Sequence, residues 1–305
     1  MNAAVVVLAG IALASCNREP GSTVLTRGAL VVECDEAVAP VFRAEVEEFQ
    51  RQYPEAEVEL RAVDGREAVS NFAMDSVRVI VLARALNKEE RAALEAGKVA
   101  YEEYHVAQTA VAVIAHPENP LQRMRTGQLD SIFSGIVTSW PGRTRRGPID
   151  LVACGINSSS NEVFRTRMLE GRSIAMSASP MASSPEVFDY VRRSPAALGI
   201  LDVSWLRGVA SEVTVVSLGT PGMAPDSTQR PGAFYSPAQA YIYKQYYPIT
   251  SPVYIYTREL TRDVSLGFIS FVAGAEGQKV ILNSGIVPVT MPVRLIHLTA
   301  EEVQG

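Results

Sequence analysis

Short apolar runs alternate with amphipathic segments along most of this 305-residue chain. Residues 29–33 form a Val-rich apolar run, which is typical of a buried strand. Residues 37–53 carry apolar side chains at gaps of three and four, which trace one face of a helix that ends before Pro54. Repeated alternation of strand and helix predicts an α/β fold with helices on both faces of a parallel sheet.

The alternation continues towards the C-terminus. Further strands are predicted over residues 57–62, 77–82, 109–115, 149–154 and 253–256, and further helices over 87–97, 126–135, 160–170, from Ser184 onwards, and over 265–283 with an interruption. Asn87 with Glu90 three positions on is a capping pair, and Gly97 ends that helix. Single cores stop growing at roughly 250–300 residues, so this chain is expected to form two α/β lobes.

The N-terminus carries a different signal. Residues 3–14 form an apolar run, too short to span about 30 Å of hydrocarbon but typical of a signal peptide. The run leads to Ser15-Cys16, and small residues before such a cysteine resemble the bacterial lipobox, in which the cysteine is lipidated. We therefore predict a lipoprotein signal peptide over residues 1–16, a lipid anchor on Cys16 and a tether over 17–27. An ordinary secretory signal or a buried N-terminal strand is the alternative, since no Lys or Arg precedes the run.

Composition argues against several classes of protein. The chain carries 28 Lys and Arg against 33 Asp and Glu, and a net charge of −5 without a basic run argues against a nucleic-acid surface. Three Cys cannot form a disulfide scaffold, and His105, His116 and His297 are too scattered for a metal site. No nucleophile elbow, Walker loop or dinucleotide fingerprint is present. We therefore predict a binding protein without cofactor or metal, rather than an enzyme such as an extracytoplasmic hydrolase.

The loop after the strand over 149–154 is rich in hydroxyl groups. Asn157, Ser158, Ser159 and Ser160 lie between the carboxyl end of that strand and the start of the next helix. The first backbone N–H groups of a helix lack partners, and its dipole places positive potential there, so this loop predicts an anion cradle. Simple capping of the helix by the same side chains is the alternative.

Other candidate residues follow neighbouring strands, because ligands of open α/β sheets bind at the carboxyl ends of the strands. These candidates are Asp35, Glu36 and Ala37 after the first strand, Asp64 and Gly65 after the second, and Arg84 after the third. A guanidinium at position 84 could bind an oxyanion through two parallel hydrogen bonds. The alternative is a surface charge paired with Glu89 or Glu90.

Several segments, taken together and in order, resemble one family. They are ALVVECDEAVAPVFRAEVEEFQRQYPEA, DSVRVIVLARALNKEE, TGQLDSIFSGIVTSW, NSSSNEVF, AALGILDVSWLRG, YYPITSPVYIYT and GFISFVAGAEGQKVILNSGIVPV. Through them residues 28–294 resemble the phosphate-binding, PstS-like substrate-binding proteins of bacterial ABC transporters, and a lipoprotein branch of that family in particular. The resemblance implies a type II periplasmic-binding-protein fold, in which two lobes, each a mixed sheet flanked by helices, are joined by two hinge crossings and close over the anion.

The resemblance also implies boundaries and ligand contacts. Lobe 1 is expected over residues 28–107 and 252–305 and lobe 2 over 108–251, with crossings near 105–109 and 250–253. By position, Ser158, Ser159 and Ser160 match the family's anion loop, Asp35, Glu36 and Ala37 match the N-terminal loop of lobe 1, and Asp64 and Gly65 match its second phosphate loop.

Three positions depart from the family pattern. Arg84 stands where the family has an acid that accepts the proton of hydrogen phosphate, Cys154 where it has an arginine, and Ile156 where it has that arginine's partner acid. We therefore expect an oxyanion site with altered chemistry, which separates phosphate from sulfate only if Asp35, Glu36 or Asp64 accepts the proton. Cys34 and Cys154 are expected on facing rims of the cleft as free thiols.

The expected function is capture of phosphate or a similar oxyanion outside the inner membrane. The protein would be a lipid-anchored monomer that delivers its ligand to the transmembrane subunits of an ABC permease, and it would not bind nucleic acid. The alternative is a diverged oxyanion-binding sensor or surface adhesion lipoprotein that is not tied to transport.

Overall fold

The computed structural model of the chain describes residues 24–140, 147–175, 179–219, 232–258 and 263–290. The predicted signal peptide with its lipidated Cys16 lies outside these ranges, as does His297. In the part that is described, no helix is both long and apolar enough to cross a membrane.

The described residues form alternating strands and helices. The strands are β1 (Gly28–Asp35), β2 (Ala56–Val63), β3 (Val79–Leu82), β4 (Glu102–Ala115), β5 (Arg123–Arg125), β6 (Asp150–Cys154), β7 (Ser179–Met181), β8 (Ala197–Asp202), β9 (Thr214–Val215), β10 (Ser217–Gly219), β11 (Thr250–Thr257) and β12 (Val287–Pro288). The helices are α1 (Ala39–Gln52), α2 (Gly65–Ala73), α3 (Lys88–Ala96), α4 (Thr126–Phe133), α5 (Ser159–Met168), α6 (Ser184–Arg193), α7 (Gln239–Tyr243), α8 (Val264–Ala273) and α9 (Ala275–Asn283). Single 3-10 turns lie at Val24–Thr26, Glu36–Val38, Val203–Leu206 and Ala210–Glu212.

The predicted elements are confirmed, with shifts of a few residues at their ends. Helix α3 begins with the predicted capping box, in which the side chain of Asn87 accepts from the backbone of Glu90, and it ends at Gly97. The interruption of the last helix falls at Gly274, between α8 and α9. Helix α2 was not predicted, because the residues after β2 read as a loop; its first residue is Gly65.

The sheet is mixed rather than parallel throughout. Its strand order is β2-β1-β3-β11-β4-β8-β6-β7. Strand β1 is parallel to β2 and β3, and β6 is parallel to β7 and β8, as strand–helix alternation predicts. Strands β4 and β11 run in the opposite direction, so the expectation of a purely parallel sheet is wrong, and the mixed sheet that the resemblance implied is confirmed.

Strand β4 runs through both halves of the molecule. Its first part pairs with β11, and its last part, Val111 to Ala115, pairs with β8. One core, around Phe42, Phe49 and Phe268, lies on the β1 side, and a second, which includes Phe133 and Phe164, lies on the β6 side. Two cores of this kind, each with its own helices, are the two lobes of the fold.

Glu45 is an exception in the core of the first lobe. It lies on the buried face of α1 beside Phe42 and Phe49, and its side chain is fully buried. Neither carboxylate oxygen has a hydrogen-bond partner among the described residues. Burial, with a smaller effect of the Glu48 charge, raises the pKa of Glu45 to about 9, so this carboxyl is neutral at pH 7.

Candidate functional site

Asp35, the last residue of β1, is buried in the closed cleft between the lobes, beside Gly65 and Ser159. Its carboxylate accepts hydrogen bonds from the backbone N–H of Ala37 (3.2 Å) and of Ala83 (3.0 Å), the residue that follows β3. The side chain is buried, and burial raises its pKa above the usual range, although the neighbouring Ser159 hydroxyl and the two amides oppose that shift. The carboxyl ends of two parallel strands thus hold one acid in place.

Gly65 brings the N-terminus of α2 against the facing lobe. It is buried, and a Cβ at this position would collide with the Ser159 hydroxyl and lie 3.0 Å from Oδ2 of Asp35. The next residue, Arg66, donates its backbone N–H to the carbonyl of Asn157 across the cleft at 3.3 Å. Only a residue without a side chain allows this approach, which explains glycine at position 65.

Helix α5 opens onto the same place. Ser158 is its N-cap, and its hydroxyl accepts from the backbone N–H of Asn161 at 3.4 Å, so the capping alternative holds for this one serine. Ser159 and Ser160 are buried, and neither hydroxyl makes a hydrogen bond of regular geometry to any residue that the structure describes. The Ser159 hydroxyl lies against the carboxylate of Asp35, whereas that of Ser160 has no partner among the described residues. Buried polar groups are normally hydrogen-bonded, so these hydroxyls can donate to a ligand.

Arg84 is buried in the cleft rather than exposed on the surface. Its guanidinium binds both carboxylate oxygens of Glu90, each at 2.7 Å, and donates to the carbonyl of Ala85 at 3.1 Å. Burial alone would lower its pKa, but the hydrogen bonds and charge of Glu90 outweigh that effect and raise it. The predicted pairing with Glu90 is therefore present, although its setting is the cleft.

Glu162, which the sequence analysis did not single out, joins this group from the facing lobe. Its Oε2 lies 3.1 Å from Nε of Arg84, and its Oε1 accepts from the side-chain amide of Asn87 at 3.0 Å. One signal could have revealed it: Glu162 lies three residues after Ser159 in the first turn of α5, and residues at that spacing share one helix face.

Glu36 and Ala37 form a second set of hydrogen bonds between the lobes, which we call the second seam. The Glu36 carboxylate accepts from both the backbone N–H and the hydroxyl of Ser184, each at 2.9 Å. Ser184 is the first residue of α6, where the predicted helix begins, and Ser183 is its N-cap. The Ala37 carbonyl accepts from the hydroxyl of Ser204 at 2.9 Å. Both predicted site residues thus hold the lobes together.

The remaining predicted residues lie at the edge of the site. Asp64 is the half-buried N-cap of α2, and its side chain makes no capping hydrogen bond. Burial, followed by the charge of Glu67, raises its pKa. The side chain of Asn157 is exposed, and only its backbone carbonyl contacts the facing lobe.

The two described cysteines are free, as predicted, but they do not lie on the rims of the cleft. Cys34 packs into the core of the first lobe, and Cys154 packs beside Val187 and Val191 in the second. Burial raises the pKa of Cys34 well above its usual range and that of Cys154 to about 12. The rim placement is wrong because both side chains are buried, although the Cys154 sulfur lies 3.9 Å from the hydroxyl of Ser184.

Hydroxyl groups, amides and acids surround the site. Among the residues that the structure describes, no group of three or more His, Cys, Asp or Glu is placed to hold a metal ion. Two helix N-termini, α2 and α5, converge on Ser159 and Asp35, and this arrangement can bind a small anion through hydrogen-bond donors.

Comparison with known proteins places the chain in a family. A family model described as a PBP superfamily domain matches residues 21–276. The chain belongs to the PBP superfamily. This PBP superfamily member is 23% identical over 270 residues to the phosphate-binding protein PstS of Bacillus subtilis, covering 86% of this chain and 81% of that relative. It is 21% identical over 276 residues to the protein of the same name in Pseudomonas aeruginosa, covering 84% and 81%.

Solved structures of other members share the fold. A protein from Clostridium perfringens, crystallised with bound phosphate, superimposes with a TM-score of 0.73 at 20% identity, over 86% of this PBP superfamily member and all of that chain. An ABC-type phosphate transport receptor from Vibrio cholerae gives a TM-score of 0.64 at 18% identity, over 86% of this chain and all of the other. The resemblance inferred from the sequence segments and the two-lobed fold are confirmed.

Proposed function

We propose that this protein binds phosphate or a similar oxyanion between its two lobes and delivers it to an ABC permease. The observation that carries this proposal is the N-terminus of α5, where the buried hydroxyls of Ser159 and Ser160 lack hydrogen bonds of regular geometry within the described part of the chain. Ser159 packs directly against Gly65 at the N-terminus of α2 in the facing lobe, so these hydroxyls can reach a ligand only when the lobes separate. The lobes extend over residues 28–107 with 252–305, and over 108–251.

The chemistry of an oxyanion fits these groups. Its oxygens accept hydrogen bonds, and hydroxyls and the free N–H groups of helix N-termini donate them without adding a full positive charge. The named relatives from Bacillus and Pseudomonas are phosphate-binding proteins, which favours phosphate as the ligand. The ligand contacts proposed are Asp35, Glu36, Ala37, Asp64, Gly65, Arg84, Asn157, Ser158, Ser159 and Ser160.

Asp35 is the best candidate for the proton acceptor that separates phosphate from sulfate. Of the three acids considered from the sequence, it alone lies beside the Ser159 hydroxyl. Hydrogen phosphate can donate its proton to a carboxylate at this position, whereas sulfate has no proton at neutral pH. A buried hydrogen bond that is lost or replaced by repulsion costs about 1–3 kcal/mol.

The binding cycle is a movement of the lobes. Glu36 with Ser184, and Arg66 with Asn157, hold the cleft shut in this structure. A ligand can enter only after these contacts break, and it favours closure because it contacts both lobes at once. The transport role further implies an extracytoplasmic monomer, anchored through Cys16, which docks on the permease in its closed form.

Isothermal titration of the purified chain with phosphate and with sulfate tests the proposal. We expect saturable one-to-one binding of phosphate, which a Ser159→Ala/Ser160→Ala double variant weakens. The matched control is Ser70→Ala, which removes an exposed serine hydroxyl on α2. The absence of heat with either oxyanion, for the folded wild-type chain, would contradict the proposal.

A second candidate function is an oxyanion sensor that is not tied to transport. The Arg84–Glu162 contact favours it, because the family's acid position is occupied by an arginine that already binds carboxylates of this chain. Phosphate uptake in a strain whose own phosphate-binding protein is deleted separates the two. Restored uptake supports transport, and binding without uptake supports the sensor.

A further inference from the structure

The carboxylate of Glu162 crosses the cleft to three side chains of the facing lobe. Its Oε1 accepts from Nδ2 of Asn87 at 3.0 Å, and its Oε2 lies 3.1 Å from Nε of Arg84 and 3.6 Å from Nε of Arg66. The side chains of Glu162 and Arg84 are only 15% and 5% exposed. This is therefore a largely buried ion pair between the lobes, where screening by water is weak.

A carboxylate in this position presents to Arg84 what a bound oxyanion would present. Both offer negatively charged oxygens to a guanidinium and an amide. Glu162 accepts a hydrogen bond from the Asn87 amide, and its contact with Nε of Arg84 is an ion pair without hydrogen-bond geometry. Glu162 shares the first turn of α5 with Ser159 and Ser160, whose hydroxyls lack partners of regular geometry in the described structure. The Glu162 carboxylate and a bound oxyanion would thus compete for neighbouring hydrogen-bond donors.

The charges of the group already balance before a ligand arrives. The positive charges are those of Arg84 and Arg66, and the negative charges are those of Glu90 and Glu162. Asp35 adds a further acid inside the closed cleft. A dianion that enters the cleft therefore meets no positive charge that is not already neutralised by a carboxylate. It also meets the Glu162 carboxylate one helical turn from the hydroxyls that would bind it.

We propose that Glu162 is an internal competitor for the oxyanion and determines the affinity of the cleft. Its carboxylate joins the two lobes through Arg84 and Asn87, and it lowers the affinity for a multiply charged anion by neutralising Arg84. This inference rests on the proposed function. Glu162 lies outside the family's anion loop, and its contact with Arg84 sets how tightly the ligand binds.

Replacing Glu162 by glutamine tests the competition. Glu162→Gln removes the charge at nearly constant size, and a single close charge pair commonly changes affinity by tenfold or more, so we expect phosphate to bind about tenfold more tightly. The matched control is Glu89→Gln on α3, an exposed glutamate that has no ion pair among the described residues. It makes the same change in net charge and should leave the affinity unchanged.

A second measurement needs no ligand. Because Glu162 joins the two lobes, small-angle scattering should give a larger radius of gyration for ligand-free Glu162→Gln than for the ligand-free wild type. Glu162→Asp keeps the charge at the helix N-terminus but withdraws it by one methylene, so its affinity should lie between the other two. Near-ultraviolet circular dichroism confirms that each variant is folded.

The outcomes separate the two proposals. Tighter phosphate binding by Glu162→Gln, with an unchanged Glu89→Gln control, supports the competitor. Equal or weaker binding by Glu162→Gln than by the wild type overturns this inference and leaves the proposed function standing. No oxyanion binding by any of these folded proteins overturns the proposed function and the inference with it.

Discussion

The Ser159 hydroxyl occupies the space that a side chain on Gly65 would need, so the first residue of α2 and the first residue of α5 meet without a gap across the cleft. Each is the N-terminus of a helix, and the two helices belong to different lobes. Closure of the lobes therefore depends on the absence of a single methyl group.

Gly65→Ala should prevent full closure. The added Cβ collides with the Ser159 hydroxyl, so phosphate affinity should fall by at least about tenfold while the melting temperature changes little, because the clash is relieved by opening. Isothermal titration and thermal melts measure the two effects. Gly127→Ala on α4, where a Cβ meets nothing described within 4 Å, is the control, and an unchanged affinity for Gly65→Ala would show that the closed form is not the binding form.

Asp35→Asn should reduce the preference for phosphate over sulfate. An amide N–H replaces one acceptor oxygen, which removes the acceptor for the proton of hydrogen phosphate and repels the backbone N–H of Ala83. The dissociation constant for sulfate divided by that for phosphate should fall by about tenfold, the equivalent of one hydrogen bond. Asp64→Asn is the comparison: if that variant changes the ratio and Asp35→Asn does not, the assignment of the acceptor is wrong.

Glu36→Ala should loosen the second seam. It removes two hydrogen bonds to Ser184 at the N-terminus of α6, and the carboxylate there also interacts favourably with the helix dipole. Small-angle scattering of the ligand-free chain should show a larger radius of gyration. Glu47→Ala, an exposed position on α1, should not change it, and a compact Glu36→Ala variant would mean that the seam contributes nothing to closure.

The buried Glu45 should make stability depend on pH. The pKa of Glu45 is about 9 in the folded chain and near 4.5 in the unfolded chain. The free energy of unfolding is therefore highest, as far as Glu45 is concerned, below about pH 4.5, and it falls as the pH rises towards 9. At pH 7 the loss is on the order of 3 kcal/mol. Glu45→Met should raise the free energy of unfolding at pH 7 to 8 and flatten its pH profile, as measured by urea denaturation.

The control for Glu45 is Glu57→Gln, an exposed glutamate on β2 with no ion pair in the described ranges. Its denaturation profile should follow that of the wild type at every pH. A Glu45→Met variant that is less stable than the wild type at pH 8 would show that the carboxyl has a stabilising role that its contacts do not reveal.

Cys34 and Cys154 should resist thiol reagents in the folded chain. Both are buried, and a pKa of about 12 for Cys154 leaves almost no thiolate at pH 8. In a Cys16→Ser background, which leaves only these two thiols, reaction with Ellman's reagent should be slow until denaturant is added. An introduced cysteine, Ser70→Cys on the exposed face of α2, should react at once under native conditions; equally rapid reaction of Cys34 or Cys154 would place those thiols on the surface.

The position of the serine loop at the start of a helix was predictable because it depends on local chemistry, and its binding of an anion stays a prediction. Hydroxyl-bearing residues between a strand and a helix predict an N-terminal anion site wherever the helix goes, and Ser158 to Ser160 lie there. Glu162 was not singled out, because its partners Arg84 and Asn87 lie about 75 residues earlier in the chain. Cys34 and Cys154 were misplaced for a related reason: position at the end of a strand does not tell which face of the sheet the side chain meets.

The sequence by itself determined the order of strands and helices, the capped start of α3 at Asn87 and the family to which the chain belongs, since these depend on neighbours within one or two helical turns and on segments kept in order. Only the tertiary structure decided the antiparallel course of β4 and β11, the pairing of Arg84 with Glu162, and the contact of Gly65 with Ser159. These features join residues far apart in the sequence, the last two across the lobes, and their energies depend on distances that folding alone brings down to a few ångströms.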